Sequence, residues 1–392
     1  MAYSKFSHVR VSGVSVIVPK REIRLEDELE YFGGSLKKVE RTKKIIGLGA
    51  RRVADEGTTA ADLCQQAAEN LLEGMKIERN SIEALIFISQ GPDHAIPATA
   101  CILQHKLRLS QDCAAFDVNQ GCTAYTYGLW LASSFVESGA CRRVLLLVGE
   151  AGARHSDPAN RVVTPIFGDC GTATLVEYSE RADTSYFCLG TDGSGAEALM
   201  VPAGHARFPL PADKEAYADF ITPIRDANGN PWYLNGTFMD GGAIFNFTMS
   251  VVPEHLRAFL QRAAHTPDDI DWAVLHQANR QIANAVAVKA GFPPSKAPTE
   301  TVAKYGNQAG ASLPSVICDQ LCDIVSNGAA TLLLSGYGVG LSWASAIVRL
   351  DHIWCSGIRE FKNPGNLPTP AELEAHWRHK MRHNGEIEEE AQ

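Results

Sequence analysis

The sequence predicts an α/β protein made of two similar halves. Three observations carry this: strand-like and helix-like segments alternate from Val9 to Leu350, two strand segments are almost wholly apolar, and the order of segments recurs in the second half. Residues 9–18 read as a strand, 58–75 as a helix, 82–89 as a strand and 97–107 as a helix. Residues 114–119 then read as a strand, 123–137 as a helix and 144–149 as a strand. Strands separated by helical patterns argue for parallel βαβ units with helices on the sheet faces. The runs Val144-Leu145-Leu146-Leu147-Val148 and Thr331-Leu332-Leu333-Leu334 suit strands buried on both faces. In the second half, 245–264 read as a helix, 272–276 as a strand, and 280–290 and 313–325 as helices. Residues 330–335 and 342–350 read as strands. In each half a strand runs into a helix through a reactive residue, Cys122 in one and His276 in the other, as expected of a duplicated unit.

These signals divide the chain into an N-terminal half at residues 1–203, an inserted loop or flap at 204–234, a C-terminal half at 235–351 and a polar extension at 352–392. The insert is rich in Pro, Asp and Ala and has no clear period. The extension closes on Glu386-Ile387-Glu388-Glu389-Glu390-Ala391-Gln392, a stretch expected to fray.

At 392 residues, 45% hydrophobic and 21% charged, the chain can bury a sizeable core. A net charge of −9 weighs against nucleic acid as a partner. The densest basic stretch, Lys37-Lys38, Arg41, Lys43-Lys44 and Arg51-Arg52, reads first as a solvated face and second as a place to receive an acidic carrier. Ten scattered cysteines without a Cys-x-x-Cys pair suggest reduced thiols in a cytosol, and no metal-ligand spacing occurs. Cys318 and Cys322 lie one turn apart on a helix expected to be buried. No leader pattern or membrane-length apolar run is present, so a soluble, cytoplasmic protein without membrane association is expected.

Cys122 closes an apolar run and opens a helical one, where the positive end of a helix favours the thiolate. A lone cysteine is usually an inert small hydrophobe, a lone His276 a helix cap, and a lone Asn307 a turn residue. Together they suit an enzyme that carries an acyl group as a thioester. Gly336-Tyr337-Gly338-Val339-Gly340 follows a strand but lacks the Gly-x-Gly-x-x-Gly spacing, and strand residues follow it, which argues against dinucleotide binding.

Six segments in order resemble the ketosynthase III branch of the thiolase superfamily: Asp117-Val118-Asn119-x-x-Cys122 with Tyr127-Gly128-Leu129; Phe167-Gly168-Asp169; Met239-Asp240-Gly241; His276-Gln277-Ala278-Asn279; Tyr305-Gly306-Asn307 with Ala311-Ser312-Leu313-Pro314; and Gly336 to Trp343. The resemblance covers about residues 5 to 350. It implies a five-layered αβαβα fold, a homodimer, and catalysis by Cys122, His276 and Asn307. It places an oxyanion hole at the backbone amides of Cys122 and Val339. Gly338 and Gly340 then line the acyl pocket, and Ile96 takes the position that reaches across the dimer to close it. Arg41, Lys43, Asn279 and Arg280 stand at the entrance for carrier protein or coenzyme A. Phe167-Gly168-Asp169 and Met239-Asp240-Gly241 read as packing and turn elements.

The implied substrates are acyl thioesters of carrier protein or coenzyme A and a malonyl thioester, with no bound cofactor. Departures from the family pattern point to a specialised relative. Arg41 and Ile45 stand where a tryptophan and an arginine would hold adenine, Gln281 replaces a carrier-binding arginine, and Ile96 replaces an aromatic residue. The leading expectation is decarboxylative Claisen condensation. Acyl transfer to an amine or hydroxyl is the second, and a catalytically silent partner subunit the third.

Overall fold

The apolar strands assemble into two mixed sheets. In the computed structural model, which describes residues 2–153, 156–363 and 369–383, one sheet orders its strands Trp354–Glu360, Val9–Val18, Cys170–Tyr178, Arg143–Glu150, Ala84–Ile88 and Ala114–Val118. The other runs Ala2–Phe6, Ser185–Thr191, Ser342–Asp351, Ala329–Gly338 and Trp272–Leu275. The expected parallel pairing holds for Arg143–Glu150, Ala84–Ile88 and Ala114–Val118, and for Trp272–Leu275 with Ala329–Gly338. Ala329–Gly338 turns tightly into Ser342–Asp351 and pairs with it antiparallel, and Arg143–Glu150 pairs antiparallel with Cys170–Tyr178.

The period-2 alternation of strand side chains sorts the core into layers. Leu145 and Leu147 face an outer layer formed by helices Ala60–Gly74 and Thr99–Lys106. Val144 and Leu146 face a central layer with Leu129, Ala132 and Val136 of helix Ala124–Glu137 and Leu313 and Val316 of the helical run 312–327. The second sheet meets the same central layer through Leu332 and Leu334. Its Leu333 faces helices Gly241–Arg262 and Arg280–Ala290 outside. The result is the five-layered αβαβα arrangement. Each leucine so buried contributes roughly 1.5–3 kcal/mol.

Three strands escape the sequence pattern, two of them at sheet edges. Ala2–Phe6 joins the sheet of the C-terminal half, and Trp354–Glu360 joins that of the N-terminal half, parallel to Val9–Val18. Ser185–Thr191, placed before the insert, lies inside the second sheet between Ala2–Phe6 and Ser342–Asp351. The predicted boundaries at 203 and 352 are therefore crossed by strand exchange. Residues Met1–Phe361 form one unit. The helix Pro370–His383 belongs to a second unit, Lys362–Gln392, and the expected fraying of Glu386 to Gln392 lies outside the described residues.

The insert is partly ordered, with a helix at Lys214–Ile221 and a small pair formed by Ile224–Arg225 and Pro231–Trp232. Among the described residues no helix is long and apolar enough to cross a membrane, and no cluster of metal-ligating side chains occurs. All ten cysteines are free thiols.

Candidate active site

The strand Ala114–Val118 delivers the chain to a turn at 119–123, and helix Ala124–Glu137 begins two residues after Cys122. Thr123 pins this turn, its Oγ1 lying 3.0 Å from Gln120 Oε1 and 3.1 Å from Ser342 Oγ of the other half. The hairpin connecting Ala329–Gly338 to Ser342–Asp351 packs directly on it. A Cβ at Gly336 would sit 2.6 Å from the Cys122 carbonyl oxygen, and one at Gly338 2.7 Å from Cys122 Sγ. Glycine is therefore required at both positions by close approach.

The Cys122 sulfur accepts hydrogen bonds from the Val339 amide and from its own amide. Burial, the largest influence, pushes the thiol up to about 11. The two amides pull it down, and the nearby Glu150 carboxyl raises it further. The expected helix-favoured thiolate is thus overturned. Cys122 precedes the helix, is almost fully buried, and rests as a neutral thiol.

His276 follows strand Trp272–Leu275, its amide donating to the Ser335 carbonyl at 2.9 Å. Its Nδ1 lies 2.9 Å from Ser312 Oγ, and the ring also hydrogen-bonds the Ala309 carbonyl. Tyr337 meets the ring edge-on at 5.7 Å between centroids. Burial drives the imidazole down to about 4, so it is neutral near pH 7. Ser312 fixes the ring's rotation, and the direction of its hydroxyl decides which nitrogen holds the proton.

Asn307 is held by a short bridge to Phe167. The Gly168 amide donates to the Asn307 carbonyl at 3.0 Å, and the Asn307 amide donates to the Ile166 carbonyl at 2.9 Å. A Cβ at Gly168 would lie 2.0 Å from the Tyr305 carbonyl oxygen, so this approach also demands glycine. The side-chain Oδ1 of Asn307 accepts from Ala309 N at 3.0 Å, leaving its NH₂ group as the donor toward the site.

A cavity of about 470 Å³ opens over these groups, with Cys122, Asn307, Val339 and Glu150 in its wall and Trp232 and Tyr233 of the insert beside them. The insert is fastened there: Tyr233 donates to Asp157 Oδ2 at 2.7 Å, and Asn160 Nδ2 donates to the Pro231 carbonyl at 2.8 Å. His276 lies beneath the wall, 2% exposed.

The other expected site residues are placed differently. Ile96 is 86% exposed on the single chain and outside this chain's own cavity wall, and its expected place across a dimer needs a second chain. Gly338 abuts the sulfur and Gly340 packs on Ser342, so the pair shapes the turn and leaves the lining to Val339. Of the entrance residues none lines the cavity. Arg41 is exposed on helix Leu36–Ile46, and Lys43 pairs with Glu26 at 2.5 Å. Asn279 caps helix Arg280–Ala290 by accepting from Ile282 N at 2.8 Å, and Arg280 pairs with Glu300. The basic stretch is not one surface. Arg51 is buried, forking onto Glu28, which also receives Arg161 at 3.0 Å.

Ser312, Glu150 and the backbone bridge that ties Ile166 and Gly168 to Asn307 were not anticipated from the sequence. Ser312 lay inside a quoted motif, and its phase to His276 was the missing signal. Phe167-Gly168-Asp169 is the packing element expected: Asp169 accepts from Ala54 N at 2.8 Å and Ala153 N at 2.9 Å. Asp240 likewise caps helix Gly241–Arg262 through Ala243 N at 2.9 Å.

Comparison with known proteins agrees with this arrangement. The pattern of the family 3-oxoacyl-(acyl-carrier-protein) synthase III matches residues 116–193, and that of its C-terminal portion matches residues 260–350. A Campylobacter jejuni protein provisionally named 3-oxoacyl-(acyl-carrier-protein) synthase 3 is 34% identical over 91% of this chain and 98% of its own length. A β-ketoacyl-(acyl-carrier-protein) synthase III of Rhodopirellula baltica is 31% identical over 87% of this chain and 98% of its own. The crystal structure of a 3-oxoacyl-(acyl-carrier-protein) synthase from Burkholderia xenovorans superimposes with a TM-score of 0.83 at 36% identity. It covers 92% of this chain and 99% of that one.

Proposed function

The chain belongs to the 3-oxoacyl-(acyl-carrier-protein) synthase III family of condensing enzymes, and from that premise we propose that it acylates Cys122 and condenses the acyl group with a malonyl thioester. The observation carrying this reading is the pair of backbone amides, Val339 and Cys122, aimed at the buried Cys122 sulfur. Donors at the sulfur favour the attacking thiolate, and the family resemblance assigns the oxyanion of the attacked acyl carbonyl to these same two amides.

In the first step the Cys122 sulfur bonds the acyl carbon, the carbonyl–pantetheine bond breaks, and the Cys122 proton leaves with the pantetheine thiol. Because Cys122 rests as a thiol, that proton must come off as the sulfur attacks. In the second step the malonyl carbon–carboxylate bond breaks, releasing carbon dioxide. The resulting enolate oxygen is met by His276 and the Asn307 NH₂ group. The enolate carbon attacks the acyl carbon, and Cys122 sulfur departs. The names of the relatives support a carrier-protein thioester as substrate, with coenzyme A the other donor. The open edge of strand Ala114–Val118 and the exposed Ile96 support a homodimer.

Intact mass after incubation with acyl-carrier and acyl-coenzyme A donors tests the first step. An adduct on the native chain that is absent from Cys122→Ala is the expected result. Chasing it with a malonyl carrier thioester should release carbon dioxide and a 3-oxoacyl product. Transfer to an amine or hydroxyl acceptor would release none, and failure of every donor to form an adduct would sink the reading.

A further inference from the structure

Three of the ten free cysteines meet where strand Trp354–Glu360 packs on the helical run 312–327. Cys355 Sγ lies 3.5 Å from Cys318 Sγ. Cys322, one turn further along the run, also reaches the Cys355 sulfur. Cys318 is 3% exposed and directs its sulfur at the Val14 carbonyl at 3.8 Å. Cys322 and Cys355 are partly exposed, so a small solute reaches the cluster from their side.

Both elements depart from regular geometry at this point. From Cys355 to Ile358 the strand advances three residues while its partner Val9–Val18 advances two, a bulge with Gly357 left-handed at φ 64°. The helical run widens to a π-turn over Ile317–Leu321, which carries Cys318. A bulge re-aims the side chains of its strand, and here it and the widened turn bring thiols to one place. The Gly357 amide donates to the sulfurs of Cys355 and Cys322. Cys318, Cys322 and Gly357 thus surround one sulfur with donors. They hold the Cys355 thiol below its usual range, although burial and Asp323 oppose them. Burial above all pushes the thiols of Cys318 and Cys322 the other way, up. One sulfur is set to be the thiolate and its neighbours to keep their protons, which suits an attacking thiol beside a resolving one.

We infer that Cys355 is a peroxide-reactive thiol that closes a disulfide with Cys318 and leaves Cys122 free. The Cys355 sulfur attacks one oxygen of hydrogen peroxide. An S–O bond forms, the O–O bond breaks, and the second oxygen leaves as water with the former thiol proton. Cys318 sulfur then attacks the sulfenic sulfur. An S–S bond forms, and the hydroxyl departs as water with the Cys318 proton. Two thiols lose two electrons, and one peroxide is reduced to two waters. The sulfurs close from 3.5 Å to the ~2.05 Å of a disulfide. Cys122 lacks this setting, being almost fully buried with its thiol pushed up by that burial. A merely structural cluster of packed thiols would stay reduced under the same treatment.

The test exposes the reduced full chain to a small molar excess of hydrogen peroxide, then unfolds it and caps free thiols with N-ethylmaleimide. Intact mass should show two maleimides fewer than the ten on the untreated chain, restored by dithiothreitol. Trypsin should release peptides 305–349 and 350–359 as one disulfide-linked species. Cys122 should stay labelled, with Cys355 lost about tenfold faster or better. Cys355→Ser should keep all its remaining thiols. Cys318→Ser should lose the link and let dimedone capture Cys355 as its sulfenic acid, whereas Cys322→Ser should keep the link. Ten maleimides on the treated native chain overturn the inference, as does oxidation of Cys122 at the rate of Cys355. So does a link that survives in Cys318→Ser or, where that variant does not fold, one that vanishes in Cys322→Ser.

Discussion

The N-terminal half orders its own strands Val9–Val18, Cys170–Tyr178, Arg143–Glu150, Ala84–Ile88 and Ala114–Val118, and the C-terminal half repeats the first four of these as Ser185–Thr191, Ser342–Asp351, Ala329–Gly338 and Trp272–Leu275. The helices correspond as well. Ala60–Gly74 and Thr99–Lys106 cover one sheet from outside, as Gly241–Arg262 and Arg280–Ala290 cover the other. Under this matching the counterpart of His276 is Ser89, and the strand before Cys122, Ala114–Val118, has no counterpart. Cys122 leads into a central helix, whereas His276 leads into an outer one. The expected equivalence of Cys122 and His276 is therefore displaced. The scaffold is duplicated while, under the mechanism proposed above, the chemistry is divided: one half would hold the nucleophile, and the other the donors for a developing negative charge.

This division predicts graded, separable losses. Cys122→Ala should abolish the acyl adduct and reduce condensation by a factor on the order of 10³ or more, read by intact mass and product formation. His276→Ala and Asn307→Ala should each slow carbon dioxide release about 10²–10³-fold while leaving a Cys122 adduct detectable, because each removes one donor to the enolate oxygen. Ser312→Ala should cost about tenfold in the same carbon dioxide assay, since it loosens the ring of His276 without removing it. A loss equal to that of His276→Ala would give Ser312 a larger part than positioning.

The smallest effect concerns pH. His276 binds its proton only near pH 4 when folded, against about 6.5 when exposed. Between those values the unfolded chain takes up a proton that the folded one refuses, so stability falls as pH drops from about 6.5 to 4. Urea unfolding of His276→Gln beside the native chain should show a shallower fall, by on the order of 1–3 kcal/mol across that window. Parallel curves would mean the imidazole is not held neutral.

Much of this was legible before the structure. The doubly buried strands announced themselves as continuous apolar runs, and helix Arg280–Ala290 and strand Val9–Val18 fall where the pattern placed them. The edge strands Ala2–Phe6 and Trp354–Glu360 did not, because they are short, partly exposed and pair with the half remote from them in sequence. At the site, Cys122, His276 and Asn307 stood out through chemistry and order. Ser312 and the Ile166–Gly168 bridge act through another residue's ring or backbone and carry no signature of their own. Glu150 was hidden for a different reason: a charged residue at a strand end reads as the exit to solvent, and here the strand exits into the cavity.

The most direct test of divided chemistry is carbon dioxide release from a malonyl carrier thioester by Cys122→Ala, set beside the acyl adduct formed by His276→Ala. The account predicts that Cys122→Ala still decarboxylates although it cannot be acylated, and that His276→Ala is acylated although it scarcely decarboxylates. If each variant lost both steps together, with the fold intact, the two halves would not hold separate chemistries.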